Sequence, residues 1–204
     1  MRIYQELYEE VFHLLRTQLP AYLTYHSADH TAYVLEKAEF ISGQEDIYGH
    51  DLLLIKVAGL FHDVGFIHQN IQHEERSCEI CIEKLTKHQF PQEDIDKVCG
   101  MIMATKIHQQ PQTLLEKIVA DADLEYLGTD LFYPMSQNLF IEFRHYDPEL
   151  TLARFNEIQV NFMQKHKFHT RYCITSREEM KQMHLKALQD SMQGQSLPDQ
   201  GQFF

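Results

Sequence analysis

The stretch Leu52-Leu-Leu-Ile-Lys-Val-Ala-Gly-Leu-Phe61 is apolar on nearly every side and runs without a break into His62-Asp63-Val64-Gly65. A helix of that composition belongs inside a core, not on a surface. It ends by presenting a base and a carboxylate together, where neither is tolerated unpaired. A divalent cation removes that penalty, because neutral imidazole and carboxylate are ordinary ligands for zinc, manganese or iron. Side chains of the same kind lie on both sides in sequence: His26 and His30 before the run, Asp121 and Asp123 after it.

The apolar period elsewhere is that of a helix, and strand-like alternation is scarcely found, so the fold class is all-α. A first helix spans about Ile3 to Leu19, with Ile3, Leu7, Val11, Leu14 and Leu15 on one stripe and Pro20 as its stop. A second follows Ser27, a suitable N-cap, and passes through Val34, Ala38 and Ile41 to Gly43. The His-Asp run is the third, and Gly65 lets the chain turn away after it. Further helices fit Gln72 to His88, Gln92 to Lys106, Thr113 to Leu127 and Pro148 to Lys165. The last opens with a capping box, Thr175 to Glu178. Residues 1–192 form one helical domain, with a core over about 20–130 and a C-terminal helical extension over 131–192. The breaker-rich segment 193–204 is expected to be a mobile tail.

With 204 residues and 44% hydrophobic content, the chain can bury one substantial core. Its 18 Lys+Arg stand against 30 Asp+Glu, and no basic cluster is present to neutralise a phosphate backbone. A DNA or RNA polymer is therefore not expected as a partner. An acidic surface also repels anionic substrates at long range, so any phosphate must be met by a local positive centre such as a metal. The N-terminus lacks the apolar core of a signal peptide, and no stretch reaches membrane-spanning length. Cys78, Cys81, Cys99 and Cys173 are irregularly spaced, which points to reduced thiols in a cytoplasm. Cys78-x-x-Cys81 reads as a structural pair within a helix, not as a zinc or redox motif.

His26 and His30 are one turn apart, so both can face one site. His62 and Asp63 point roughly 100° apart and can share an ion only if it sits beside the helix end. Asp121 and Asp123 are two residues apart on a helix and face different sides, so only one of them is a comfortable ligand.

The ordered set His30, His62-Asp63 and Asp121 resembles the HD-domain metal-dependent phosphohydrolases, over roughly residues 20 to 130. Tyr25-His26-Ser-Ala-Asp-His30 is also similar to a segment of the class I cyclic-nucleotide phosphodiesterases, and Asp121-Ala-Asp-Leu to an Asp-Ala-Asp-Arg-Leu segment of small bacterial HD hydrolases, with Leu124 in place of the Arg. The resemblance implies metal ligation by His30, His62, Asp63 and Asp121, with Asp123 outside the ligand shell, and proton donation by His26. Two further histidines hold a second metal in many such enzymes, and His73 and His108 are the candidates here. Glu74, with Asp63, would orient a water, Glu75 would support it, and Arg76 or Lys106 would meet phosphate oxygens.

The implied activity is hydrolysis of a phosphate mono- or diester, a nucleotide or cyclic nucleotide being the expected substrate, by water activated on a divalent metal (Mn, Fe, Zn, Mg, Co or Ni). Two other classes stand beside it. A diiron oxygenase would need both extra histidines, and a non-catalytic metal- or nucleotide-binding regulatory module would be marked by lost ligands. The expected partner is a small molecule, not a membrane, and self-association is left open.

Overall fold

The computed structural model describes residues 2–194, and among them every regular element is helical. Ten α-helices follow in order: α1 Arg2–Gln18, α2 Ala28–Gln44, α3 Gly49–Phe61, α4 His73–Lys87, α5 Gln92–Met103, α6 Leu114–Leu124, α7 Phe132–Tyr146, α8 Leu152–Lys165, α9 Arg171–Ser176 and α10 Glu178–Gly194. Two 3₁₀ turns, Val64–Ile67 and Glu125–Gly128, interrupt the series after α3 and α6. None of the described helices is long and apolar enough to cross a membrane.

Helix α3 occupies the position its composition demands. Leu54, Ile55, Val57, Ala58, Leu60 and Phe61 are all fully buried, and the helix packs against α1, α2, α5 and α6. The α1 stripe contributes Leu7, Val11 and Leu15 to the same cluster, which extends through α10 at Leu185 and Leu188. Local signals set the helix starts. The Ser27 hydroxyl accepts the backbone N–H of His30 at 3.3 Å, and Thr113 and Glu116 form a reciprocal capping box on α6. Cys78 and Cys81 are buried in α4 and form no disulfide.

Gly65 serves a different purpose from the one its sequence position suggested. A Cβ there would lie 2.0 Å from the backbone oxygen of His73, so glycine is what allows α4 to press onto the turn following His62-Asp63. Ser77 fastens this contact: its hydroxyl accepts from the Gly65 N–H at 2.9 Å and donates to the His62 carbonyl at 2.7 Å. The approach fixes the start of α4, and with it His73 and Glu74, beside the end of α3.

The C-terminal half departs from the sequence expectation in three places. Helix α7 is not among the helices read from the periodicity; Pro134 stands in its first turn, where a missing N–H does no harm. Helix α9 is additional, and Thr170 caps it by accepting the Cys173 N–H at 3.2 Å. Thr175 therefore lies inside α9 and bonds back to the Arg171 and Tyr172 carbonyls, so the capping box expected at Thr175 to Glu178 does not form and α10 starts at Glu178. Helix α10 continues to Gly194, past the expected end at Met192, and the rest of the expected tail lies outside the described residues.

Candidate metal centre and active site

Four side chains from three elements converge at the end of α3. His30 comes from the first turn of α2, His62 and Asp63 from the end of α3, and Asp123 from α6. Nε2 of His30, Nε2 of His62 and a carboxylate oxygen of Asp123 lie within 4.8 Å of one another, and all three residues are buried or nearly so. Asp63 joins them: its Oδ2 is 3.1 Å from Nε2 of His62 and 3.6 Å from Nε2 of His30. Asp123 Oδ1 is 3.1 Å from His30 Nε2 and 3.7 Å from His62 Nε2.

Two observations fit a cation at this point. Oδ2 of Asp63 is buried and has no hydrogen-bond partner, although it faces two imidazole nitrogens. Nδ1 of His62 lies 2.9 Å from the Gly59 carbonyl, which fixes the N–H there and turns the Nε2 lone pair toward the carboxylates. Burial alone would raise the pKa of Asp63, but the charge of His62, with those of His26 and His30 nearby, holds its carboxyl well below the usual range. Burial works to lower His62, yet the charges of Asp63 and Asp123 push it up to about 9. The ionised carboxylates thus draw positive charge into a buried place. A divalent ion and a proton on imidazole compete for it.

The final aspartate is the main correction to the sequence reading. Asp123 faces the histidines, whereas Asp121, the residue expected there, points to the opposite side of α6. Both its oxygens are taken by the start of α9: the His169 N–H at 2.9 and 3.1 Å, the Thr170 N–H at 2.8 Å and the Thr170 hydroxyl at 2.6 Å. Burial pushes Asp121 up to about 6 against the pull of those hydrogen bonds. It ties the C-terminal helices to the core. Two residues of separation on a helix put the side chains about 200° apart, and only the packing of α2 on one side and α9 on the other decides which faces the site.

Around the four donors, the expected residues divide. His73 is brought in, with Nε2 3.5 Å from Asp63 Oδ1 and 3.5 Å from Glu74 Oε1. His26 lies across from it, and the Phe66 ring stacks on both, at 4.1 Å from His26 and 3.9 Å from His73. His26, His73, Glu74, Asp63 and Asp123 all line one cavity. His108 does not; it borders separate cavities with Gln109 and Lys106. Neither expected phosphate-binding cation faces the site. Arg76 is paired with Glu79 at 2.6 Å along α4, and Lys106 is paired with Glu75. An adjacent acid captures each of them.

The residue missed entirely is Glu142, in α7. It is buried, its Oε1 lies 2.5 Å from Nδ1 of His26, and its Oε2 accepts the backbone N–H groups of Tyr25 and His26 at 3.0 and 3.1 Å. Burial would lower the pKa of His26, but the Glu142 hydrogen bond, the charges of Asp63 and Glu142, and that of Asp123 raise it overall. The signal was present: in Leu139-Phe-Ile-Glu142-Phe143 a lone acid interrupts an apolar run, as Asp63 and Asp121 do.

A helical domain with a buried His/His-Asp/Asp constellation at the end of its central helix defines the class. Residues 27–125, a stretch that spans α2 to α6 and every donor named above, match the HD domain family. A search of curated proteins finds no match. Among solved structures, the fold is similar to that of Bacillus subtilis YpgQ in complex with ADP (TM-score 0.64, 17% identity, 97% of this chain and 98% of that one). It is also similar to the Lin1889 protein of Listeria innocua (TM-score 0.61, 18% identity, 96% and 99%). A predicted HD superfamily hydrolase from an uncultured Thermotogales bacterium gives a TM-score of 0.59 at 20% identity, covering 92% of each chain. The likeness extends over the C-terminal helices as well as the HD domain.

Proposed function

We propose that this protein is a metal-dependent hydrolase acting on phosphate esters, with a divalent cation held by His30, His62, Asp63 and Asp123. The observation that carries the reading is Oδ2 of Asp63, buried without a partner and facing two imidazole nitrogens. A cation bound there supplies an acidified water and offsets charge on a phosphoryl oxygen. The chain's own groups do the rest. His26, positively charged against Glu142, donates a proton to the departing alkoxide. Glu74, next to His73, orients the attacking water and takes its proton. Phe66 stacks on both rings and so helps fix their orientation.

The diiron alternative requires a second histidine beside His73, and His108 borders other cavities. The non-catalytic alternative is marked by missing ligands, and here the donor set is complete. The expectation of a nucleotide rests on the resemblance, with ADP in the Bacillus subtilis relative as its support; the apolar lining of this chain's cavity favours another alcohol. The test is metal content by mass spectrometry alongside hydrolysis of nitrophenyl phosphate and bis(nitrophenyl) phosphate. His62→Ala and Asp63→Ala should lose metal and turnover together. Full metal occupancy or undiminished turnover in either variant overturns the proposal.

A further inference from the structure

The cavity that begins at the His-Asp cluster does not end there. It holds about 270 Å³ and runs from Asp63, His26 and Asp123 to a far wall made by α7 and α8. That wall consists of Leu139, Phe143, Phe155, Ile158, Phe162 and Met163. No Lys or Arg is among the lining residues. Positive charge is therefore available only at the His-Asp end.

The polar side chains in the lining away from the cluster are already engaged. Thr105 donates to the Ile102 carbonyl at 2.8 Å. Gln159 accepts from Ser136 at 2.5 Å and donates to Asn156 at 3.3 Å, so both ends of its amide are used. Tyr25 and Tyr126 are buried, and their rings meet edge to face at 5.7 Å. A nucleobase seated on this wall would bury several donors and acceptors with nothing to receive them, which is strongly unfavourable. An apolar group gains from each methylene it removes from water.

We propose that the alcohol half of the phosphoester is an aliphatic or prenyl-type chain, its phosphate at the His-Asp cluster and its hydrocarbon against α7 and α8. This rests on the phosphoesterase reading given above. A cavity of 150 Å³ accepts benzene, so about 270 Å³, part of it taken by the phosphate, sets an upper bound of roughly ten carbon atoms. The reaction is hydrolysis of a monoester. Water oxygen bonds to phosphorus, the phosphorus–oxygen bond to the alcohol breaks, His26 protonates the departing alkoxide, and the proton lost by water passes to Glu74. Inorganic phosphate and the free alcohol leave.

The test uses the full-length, metal-loaded protein in two arms. In the first, butyl-, hexyl-, octyl- and decylphosphonate, which cannot be hydrolysed, are titrated by calorimetry beside AMP and ADP. Affinity should rise about fourfold per methylene until the cavity fills, at or before about ten carbons. The nucleotides should bind more weakly than the decyl compound. In the second arm, kcat/KM is measured for the matching alkyl phosphates below their micelle concentrations and should rise with the same slope. Ile158→Glu, checked for folding by circular dichroism and for metal content, should flatten that slope by introducing a charge into the wall.

Flat affinity with chain length, or tighter binding of ADP than of decylphosphonate, overturns the apolar-alcohol proposal even if phosphate esters are hydrolysed. A rising affinity without turnover of any ester instead overturns the phosphoesterase reading, and with it the reaction, while leaving the apolar site standing.

Discussion

Replacing Glu142 by Gln changes one atom and, on this account, the working charge of His26. The carboxylate accepts from His26 Nδ1 through Oε1 and from two backbone N–H groups through Oε2. A glutamine can keep the backbone bonds with its oxygen, but its amide would donate to Nδ1 and so favour the neutral ring. Hydrogen bonds to charged groups contribute about 1.5–3 kcal/mol, which corresponds to roughly a 10- to 150-fold loss of turnover when that energy supports the protonated acid. The loss should appear with an alkyl phosphate, whose alkoxide must be protonated, and be small with nitrophenyl phosphate, whose leaving group needs no acid. The pH profile supplies the sharper readout. His26 has a raised pKa, so activity that depends on its proton persists at low pH and falls as pH rises through that value. In Glu142→Gln the falling limb should move to lower pH. Equal losses on both substrates with an unmoved limb would refute the reasoning and leave Glu142 as a strut between α7 and the Tyr25-His26 backbone.

Two further outcomes follow from packing and burial. Gly65→Ala places a Cβ against the His73 backbone oxygen, so α4 must shift; thermal melting should reveal a loss of about 1–3 kcal/mol or more, and an unchanged melting curve would show that the close approach is not required. Burial, with Lys181 and His169 nearby, lowers His166 to about 3, so its neutral form is the native one and its contribution is lost as pH falls from about 6.5 toward 3. His166→Gln cannot take up that proton, and its stability should decline less steeply than the parent's between pH 6.5 and 4; parallel declines would exclude His166 as a source of acid sensitivity.

Much of the site could be read from the chain because its members interrupt apolar helical runs. His62-Asp63 ends a run that must be buried, and His30 follows a clear cap at Ser27, so both were locatable without contacts. Asp121 and Asp123 show the limit. Both lie in the same apolar run, and the choice between them is made by Thr170, on an element 49 residues further on. Glu142 was hidden for the same reason at greater range, 116 residues from His26, on a helix masked by Pro134. Charge pairing produced the opposite error. Arg76 and Lys106 looked available for phosphate only because their capture by Glu79 and Glu75 depends on rotamers that a sequence does not display.

The proposed metal site requires Asp123, and not Asp121, to complete the donor set with His30, His62 and Asp63. Metal-to-protein ratios of the purified protein, Asp123→Asn and Asp121→Asn, measured by inductively coupled plasma mass spectrometry after identical loading and desalting, test this directly. The parent and Asp121→Asn should retain metal, the latter with a lowered melting temperature from its weakened tie to Thr170 and His169, while Asp123→Asn should lose most of it. Metal retained in Asp123→Asn and lost from Asp121→Asn would contradict the assignment.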